Sequence, residues 1–270
     1  MPQPGKVQAV VFDLSGTTID FGSRGPVVAI VELFARHGVT LTEAEARASM
    51  GAHKRDHVRA LLEDPAISLR WRQRHRVEPN LALLDQLYGE FIPLQVQVLK
   101  RHCEVLPGVV ETAAELRRRG IGLAATTGFD SPILKEIIPA ITAQGFTPEV
   151  FVGPDMVGGG RPAPWMAFYA ARQLGLYPMQ TFVKVGDTGL DIAEAHNAGM
   201  WSVAVLATGN EIGLSESDLK ALPTAEREAR FRAARERFWQ LGAHYVIDSV
   251  QDLPPVIEAI NTRLAAGERP

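Results

Sequence analysis

Residues 7–18, VQAVVFDLSGTT, decide how the rest of the chain is read. Val7 to Phe12 is apolar and β-branched without the alternation of a half-solvated strand, the pattern of a parallel strand buried on both faces. It stops at Asp13 and the turn Gly16-Thr17-Thr18, so the carboxyl end of the strand opens a loop that carries a carboxylate. Runs of the same kind recur outward from it at 122–126, 150–152, 181–185, 202–206 and 245–247. Amphipathic segments of helix length, such as 109–119 and 165–174, lie between most of them. This alternation predicts an α/β fold, a doubly wound parallel sheet of Rossmann-like type, with ligands gathered at the carboxyl ends of its strands. Asp13, Thr127 and Asp187 all fall at such ends.

Residues 22–102 break the rhythm. They hold no convincing strand and read as helices over 27–37, 43–63 and 81–100, a helical cap inserted into a core made of 1–21 and 103–270. Thr42 and Glu45 have capping-box spacing after the break at Gly38 and mark a helix start. Residues 216–241, rich in Glu and Arg, read as a second helical insertion with a solvated face. With 270 residues, 46% hydrophobic and 22% charged, the composition excludes disordered and fibrous classes. A net charge of -3 argues against a nucleic-acid partner. Cys103 is the single cysteine, so no intramolecular disulfide is possible and a reducing compartment is expected. The apolar start meets Asp13 too soon for a signal peptide or a membrane span, which predicts a cytoplasmic protein without a membrane partner.

Four short motifs carry chemistry. Asp13 beside a glycine turn can attack a phosphorus centre, while the backbone N–H groups of the turn bind its oxygens. Asp187 and Asp191 flank a second glycine turn, and with Asp13 they make an oxygen-rich pocket suited to Mg²⁺. Thr127 with Gly128, and Arg161, add a hydroxyl turn and a cation for a transferring phosphoryl group. Taken singly, each has an ordinary reading as turn or cap chemistry. Their order along the chain gives them weight.

In that order and at strand ends, Asp13, Thr127, Arg161 and Asp187 with Asp191 resemble the four motifs of the haloacid dehalogenase superfamily, and the insertion after the first resembles its C1-type cap. Most phosphatases and phosphomutases of that superfamily carry a second Asp two residues after the nucleophile as general acid and base. Here that position is Ser15, a poor proton donor near neutral pH. The cap offers another way to make a leaving group labile, because Lys54 and His57 stand three apart in MGAHKRDH (50–57) and share a helix face. A lysine amine condenses with an aldehyde, and the protonated imine accepts electrons from an adjacent C–P bond. DLSGTTIDFG (13–22), MGAHKRDH, TTGF (126–129), RPAPWM (161–166) and NEIGL (210–214) together resemble the phosphonoacetaldehyde hydrolases, or phosphonatases.

That resemblance implies a Schiff base on Lys54, proton transfer assisted by His57 and attack on phosphorus by Asp13. It implies Mg²⁺ held by Asp13, the Ser15 carbonyl and Asp187 with Asp191 in support, phosphoryl contacts from Gly16, Thr17, Thr127, Gly128 and Arg161, and a homodimer. Met50, one helical turn before Lys54, is expected to pack beside the amine and depress its pKa. The chain departs from the family at Leu14 and Ser15, usually Trp and Ala, and at Ser23, commonly Cys. The competing expectation is a Mg-dependent phosphatase or phosphomutase acting on a small phosphate ester, with Lys54 only a binding cation. His53 and the remaining histidines show no ligand spacing and read as structural or surface groups.

Overall fold

The computed structural model describes residues 5–270. Six parallel strands, β1 (Ala9–Phe12), β2 (Gly122–Thr126), β3 (Val150–Val152), β4 (Phe182–Gly186), β5 (Trp201–Val205) and β6 (Tyr245–Ile247), form one sheet in the order β3-β2-β1-β4-β5-β6. The expected runs become strands: β2, β3 and β6 with the expected ends, β4 and β5 shifted by one residue and β1 shortened by two. Ladder bonding already starts at Gln8, whose N–H donates to Thr181 O and whose carbonyl accepts from Gly122 N–H, both at 2.9 Å, and the paired register runs from Ala9.

The side chains of β1 alternate. Val10 and Phe12 enter one apolar cluster with α1 (Arg24–Arg36) and α6 (Val109–Arg118), while Ala9 and Val11 enter another with α8 (Trp165–Leu174) and α9 (Gly189–Ala198). Both faces are buried, as an unbroken apolar run requires. Placing Phe12 in the first cluster stabilises the sheet by roughly 1.5–3 kcal/mol.

Between β1 and β2 the insertion contains α1, α2 (Glu43–Arg47), α3 (Lys54–Glu63), α4 (Pro65–His75) and α5 (Leu81–Leu99), with α1 and α3 packed on α5. The Thr42 cap forms as expected: its hydroxyl accepts from Glu45 N–H at 3.2 Å, and the Glu45 carboxylate accepts from Thr42 N–H at 2.8 Å. The single helix expected over 43–63 does not. It is split after α2 because Gly51 takes φ +90°, a left-handed turn that no helix interior accommodates. α4 was not foreseen, although Asp64 caps it by accepting from Ala66 and Ile67 N–H and Pro65 opens it. The remaining helices are α7 (Ser131–Ala143), after β2, and α10 (Glu216–Ala221), α11 (Thr224–Gln240) and α12 (Leu253–Ala265). The insertion expected over 216–241 is therefore two helices, divided at Leu222-Pro223, where proline enforces a break.

Candidate active site

The strand order reverses direction at β1, which places the carboxyl ends of β1 and β4 side by side at the topological switch point. Asp13 follows β1 and its N–H donates to Val185 O at 2.8 Å, while Asp187 follows β4. One carboxylate oxygen each of Asp13, Asp187 and Asp191 lies within 4.8 Å of the others, and all three residues are buried. Burial and then the charges of Asp13 and Asp191 push the Asp187 carboxyl well above the usual range. Such a cluster is short of positive charge and suits a cation. Asp187 keeps its orientation by accepting from the Thr17 hydroxyl at 3.1 Å and Asn210 N–H at 2.8 Å.

Arg161 is the hub of the buried charges. Its guanidinium meets Asp13 at 2.7 Å, Asp191 at 3.1 Å and Glu194 at 3.0 Å, and it donates to Thr126 O at 2.7 Å. Burial opposes its charge, but the three carboxylates more than offset that and hold it protonated. Burial likewise raises the Asp13 carboxyl, against the attraction of Arg161. Lys184 completes the group by meeting Asp191 at 3.2 Å and Glu194 at 3.0 Å. Asp191 also accepts from the Thr188 hydroxyl at 2.6 Å, so both of its oxygens meet protein partners. Burial alone would raise its carboxyl, yet Arg161 and Lys184 bring it below the usual range.

Position 15 carries a serine whose hydroxyl donates to Asp20 and lies 3.2 Å from the Ser23 hydroxyl. The amides expected to face phosphoryl oxygens are used otherwise. Gly16 N–H donates to Ile19 O at 2.8 Å, and Thr17 N–H shares Leu14 O at 3.2 Å with Thr18 and Ile19, because the tight turn consumes its own donors. Thr127 N–H likewise donates to Val152 O, and its hydroxyl accepts from Phe129 N–H at 3.3 Å.

The cap closes over these strand ends. Asp13, Ser15, Met50, Lys54, Thr127, Gly128, Phe129 and Arg161 line one cavity of about 20 Å³, which brings core and cap residues together. Lys54, 3% exposed, has its Nζ 3.9 Å from Met50 Sδ and 5.4 Å from the Phe129 ring centroid. Burial lowers its pKa to about 8, although Asp13 and other carboxylates pull the other way. Met50 thus sits by the amine as expected, but from the turn before α3 rather than from the same helix. His57 is fully buried, with Nε2 2.9 Å from Ala46 O and Nδ1 without a partner. Burial, and then the charge of Lys54, lowers it to about 3, so it is neutral.

Approach of the cap depends on Gly128, where a Cβ would lie 2.3 Å from Ala52 O. A wider groove of about 700 Å³ at the cap edge, lined among others by Arg47, Asp56 and Arg237, shares Met50, Arg161 and Thr188 with the cavity and forms its approach. Sequence reasoning missed Lys184, Glu194, Phe129 and the cross-contact of His53 with Asp130. Lys184 was discoverable as a charge inside a buried strand, and Glu194 as the residue one turn after Asp191 on α9.

The family model for haloacid dehalogenase-like hydrolases matches residues 7–199, and a second, HAD-hydrolase-like model matches 159–253. The chain is 43% identical over 266 residues to the phosphonoacetaldehyde hydrolase of Nitratidesulfovibrio vulgaris, covering 98% of this chain and 95% of that one. The chain belongs to the phosphonoacetaldehyde hydrolase family. A Bacillus cereus member of this family is 40% identical over 255 residues, covering 94% of this chain and 97% of its own. The crystal structure of a phosphonoacetaldehyde hydrolase-like protein from Oleispira antarctica superposes over 100% of both chains with a TM-score of 0.97 at 38% identity. The match to the Oleispira antarctica protein thus extends over the helical insertion as well as the sheet. No helix among the described residues is long and apolar enough to cross a membrane.

Proposed function

We propose that the chain hydrolyses phosphonoacetaldehyde to acetaldehyde and phosphate, with 1–21 and 103–270 as the core and 22–102 as the cap. One observation carries the reading: a buried cap amine with a lowered pKa shares a small cavity with a strand-end carboxylate, and position 15 has no acid.

Lys54 Nζ adds to the aldehyde carbon and loses water to give a protonated imine. A carboxylate oxygen of Asp13 then attacks phosphorus, the C–P bond breaks, and its electron pair passes into the imine as an enamine. Protonation at carbon and hydrolysis of the imine release acetaldehyde, and a second water displaces phosphate from Asp13. His57, neutral and with Nδ1 free, accepts a proton during imine formation. Thr127, Gly128 and Arg161 hold the phosphoryl oxygens. Asp13, the Ser15 carbonyl and Asp187 would hold Mg²⁺, supported by Asp191; when bound it neutralises charge at the phosphoryl group. A phosphatase or phosphomutase would need a carboxyl where Ser15 stands.

The finer expectations follow the family. A homodimer is supported by the exposed Trp165 and Phe168 on α8, and a cytoplasmic location by the free, buried Cys103.

Arginine at position 54 keeps the charge but cannot form the imine. Lys54→Arg is expected to lower turnover of phosphonoacetaldehyde by at least about three orders of magnitude. Borohydride with substrate is expected to leave a mass adduct on Lys54 of the unmodified enzyme. An active Lys54→Arg enzyme, or an adduct on Lys184, overturns the reading.

A further inference from the structure

His53 stands immediately before Lys54, at the N-terminal end of α3 in the cap. Its Nε2 crosses to the core and lies 3.1 Å from Oδ2 and 3.0 Å from Oδ1 of Asp130. Asp130 is buried at the start of α7, directly after the strand-end loop that carries Thr127 and Gly128. The other groups around His53 are Asp56 on its own helix, 3.6 Å from Nδ1, and Tyr88 on α5, with ring centroids 5.9 Å apart. Asp56 is shared with Arg59 at 3.1 Å, which leaves Asp130 as the dominant partner of the imidazole.

We propose that His53 and Asp130 are positioning residues: their pair latches the cap onto the core and sets Lys54 over the phosphorus site, and protonation of His53 tightens the latch. The proposal rests on the reading that Lys54 acts from the cap. It explains why a histidine with no catalytic geometry lies half-buried between the helical insertion and the core. When the cap withdraws, Asp130 loses the imidazole and regains water, so the pair exists only in the closed form. Burial opposes charge on His53, but the bond to Asp130 and the charges of Asp130 and Asp56 outweigh it and hold the imidazole above its usual 6.5. A group whose pKa is higher closed than open favours closure below the raised value and loses that contribution as pH rises through it. Lys54 has the opposite sign, because its neutral amine is the form favoured on closure, with a value of about 8. The two limbs therefore run in opposite directions and are separable.

The test uses His53→Gln, whose amide can still donate to Asp130 without a titrating charge, and Asp130→Asn, which keeps a good N-cap for α7. NMR titration of the His53 ring should give a midpoint that falls in Asp130→Asn. Steady-state kinetics with phosphonoacetaldehyde should give KM raised about two- to fivefold in either variant near pH 6, kcat within about twofold, and convergence with the unmodified enzyme near pH 9. The double variant should behave like either single one. A KM difference that is the same at both pH values, or a His53 midpoint indifferent to Asp130→Asn, overturns the latch. Failure of the imine reading would instead appear as the absence of a borohydride adduct in the unmodified enzyme, which the latch experiment leaves untouched.

Discussion

Lys54 and Asp13 reach the same cavity from different parts of the chain, and burial serves the first while it opposes the charge of the second. Burial lowers the lysine toward a neutral nucleophile, while at Asp13 it raises the carboxyl and the Arg161 guanidinium pulls the other way. The sign of the lysine shift fixes a pH dependence. Below about 8 the amine carries a proton and cannot add to a carbonyl, so the rate of borohydride-trappable imine formation should climb tenfold per pH unit and level off above that value. Rapid-quench trapping across that range checks it. An inflection near the free-lysine value of 10.5 would mean that the amine reacts from an open, solvated state. Ser15 is equally telling at this scale, because its hydroxyl is tied to Asp20 and is oriented as a donor within the protein.

At the scale of elements, the seat of the cap is two backbone segments in contact, Ala52 ahead of α3 and Gly128 after β2. The clash that a methyl group at 128 would make is with a carbonyl oxygen, which no rotamer change relieves. Gly128→Ala is therefore expected to hold the cap back by about an ångström and to lower kcat/KM by roughly 10²-fold, with the melting temperature of the core little changed. Activity within twofold of the unmodified enzyme would show that the cap reaches the site without this contact. The strands and most cap helices were legible because periodicity reports burial, and Asp13, Lys54, Arg161 and Asp187 were legible because they lie in contiguous motifs. The split after α2 was hidden because the helical pattern runs on through Gly51, whose conformation is set by the core beneath it. The turn around Gly16 was hidden for another reason: a sequence shows which amides exist, but not which are already bonded to Leu14 and Ile19. The His53–Asp130 contact joins residues 77 positions apart, and no local spacing records it.

For the whole molecule, six parallel strands form the floor of the site, and the five-helix insertion brings the Lys54 amine, the proposed nucleophile, over it. The division of labour explains why the phosphoryl machinery and the carbonyl machinery lie in different parts of the chain. It also gives the closed cavity a consequence for traffic. About 20 Å³ has room for roughly one water, so the cavity must widen to hold an aldehyde that arrives along the adjoining groove. Where that widening moves the helical insertion, the medium through which it moves becomes part of the rate law. Raising viscosity with sucrose should slow kcat in proportion; a kcat indifferent to viscosity would place the slow step in bond-making. An enzyme limited in this way is clocked by the friction of its surroundings.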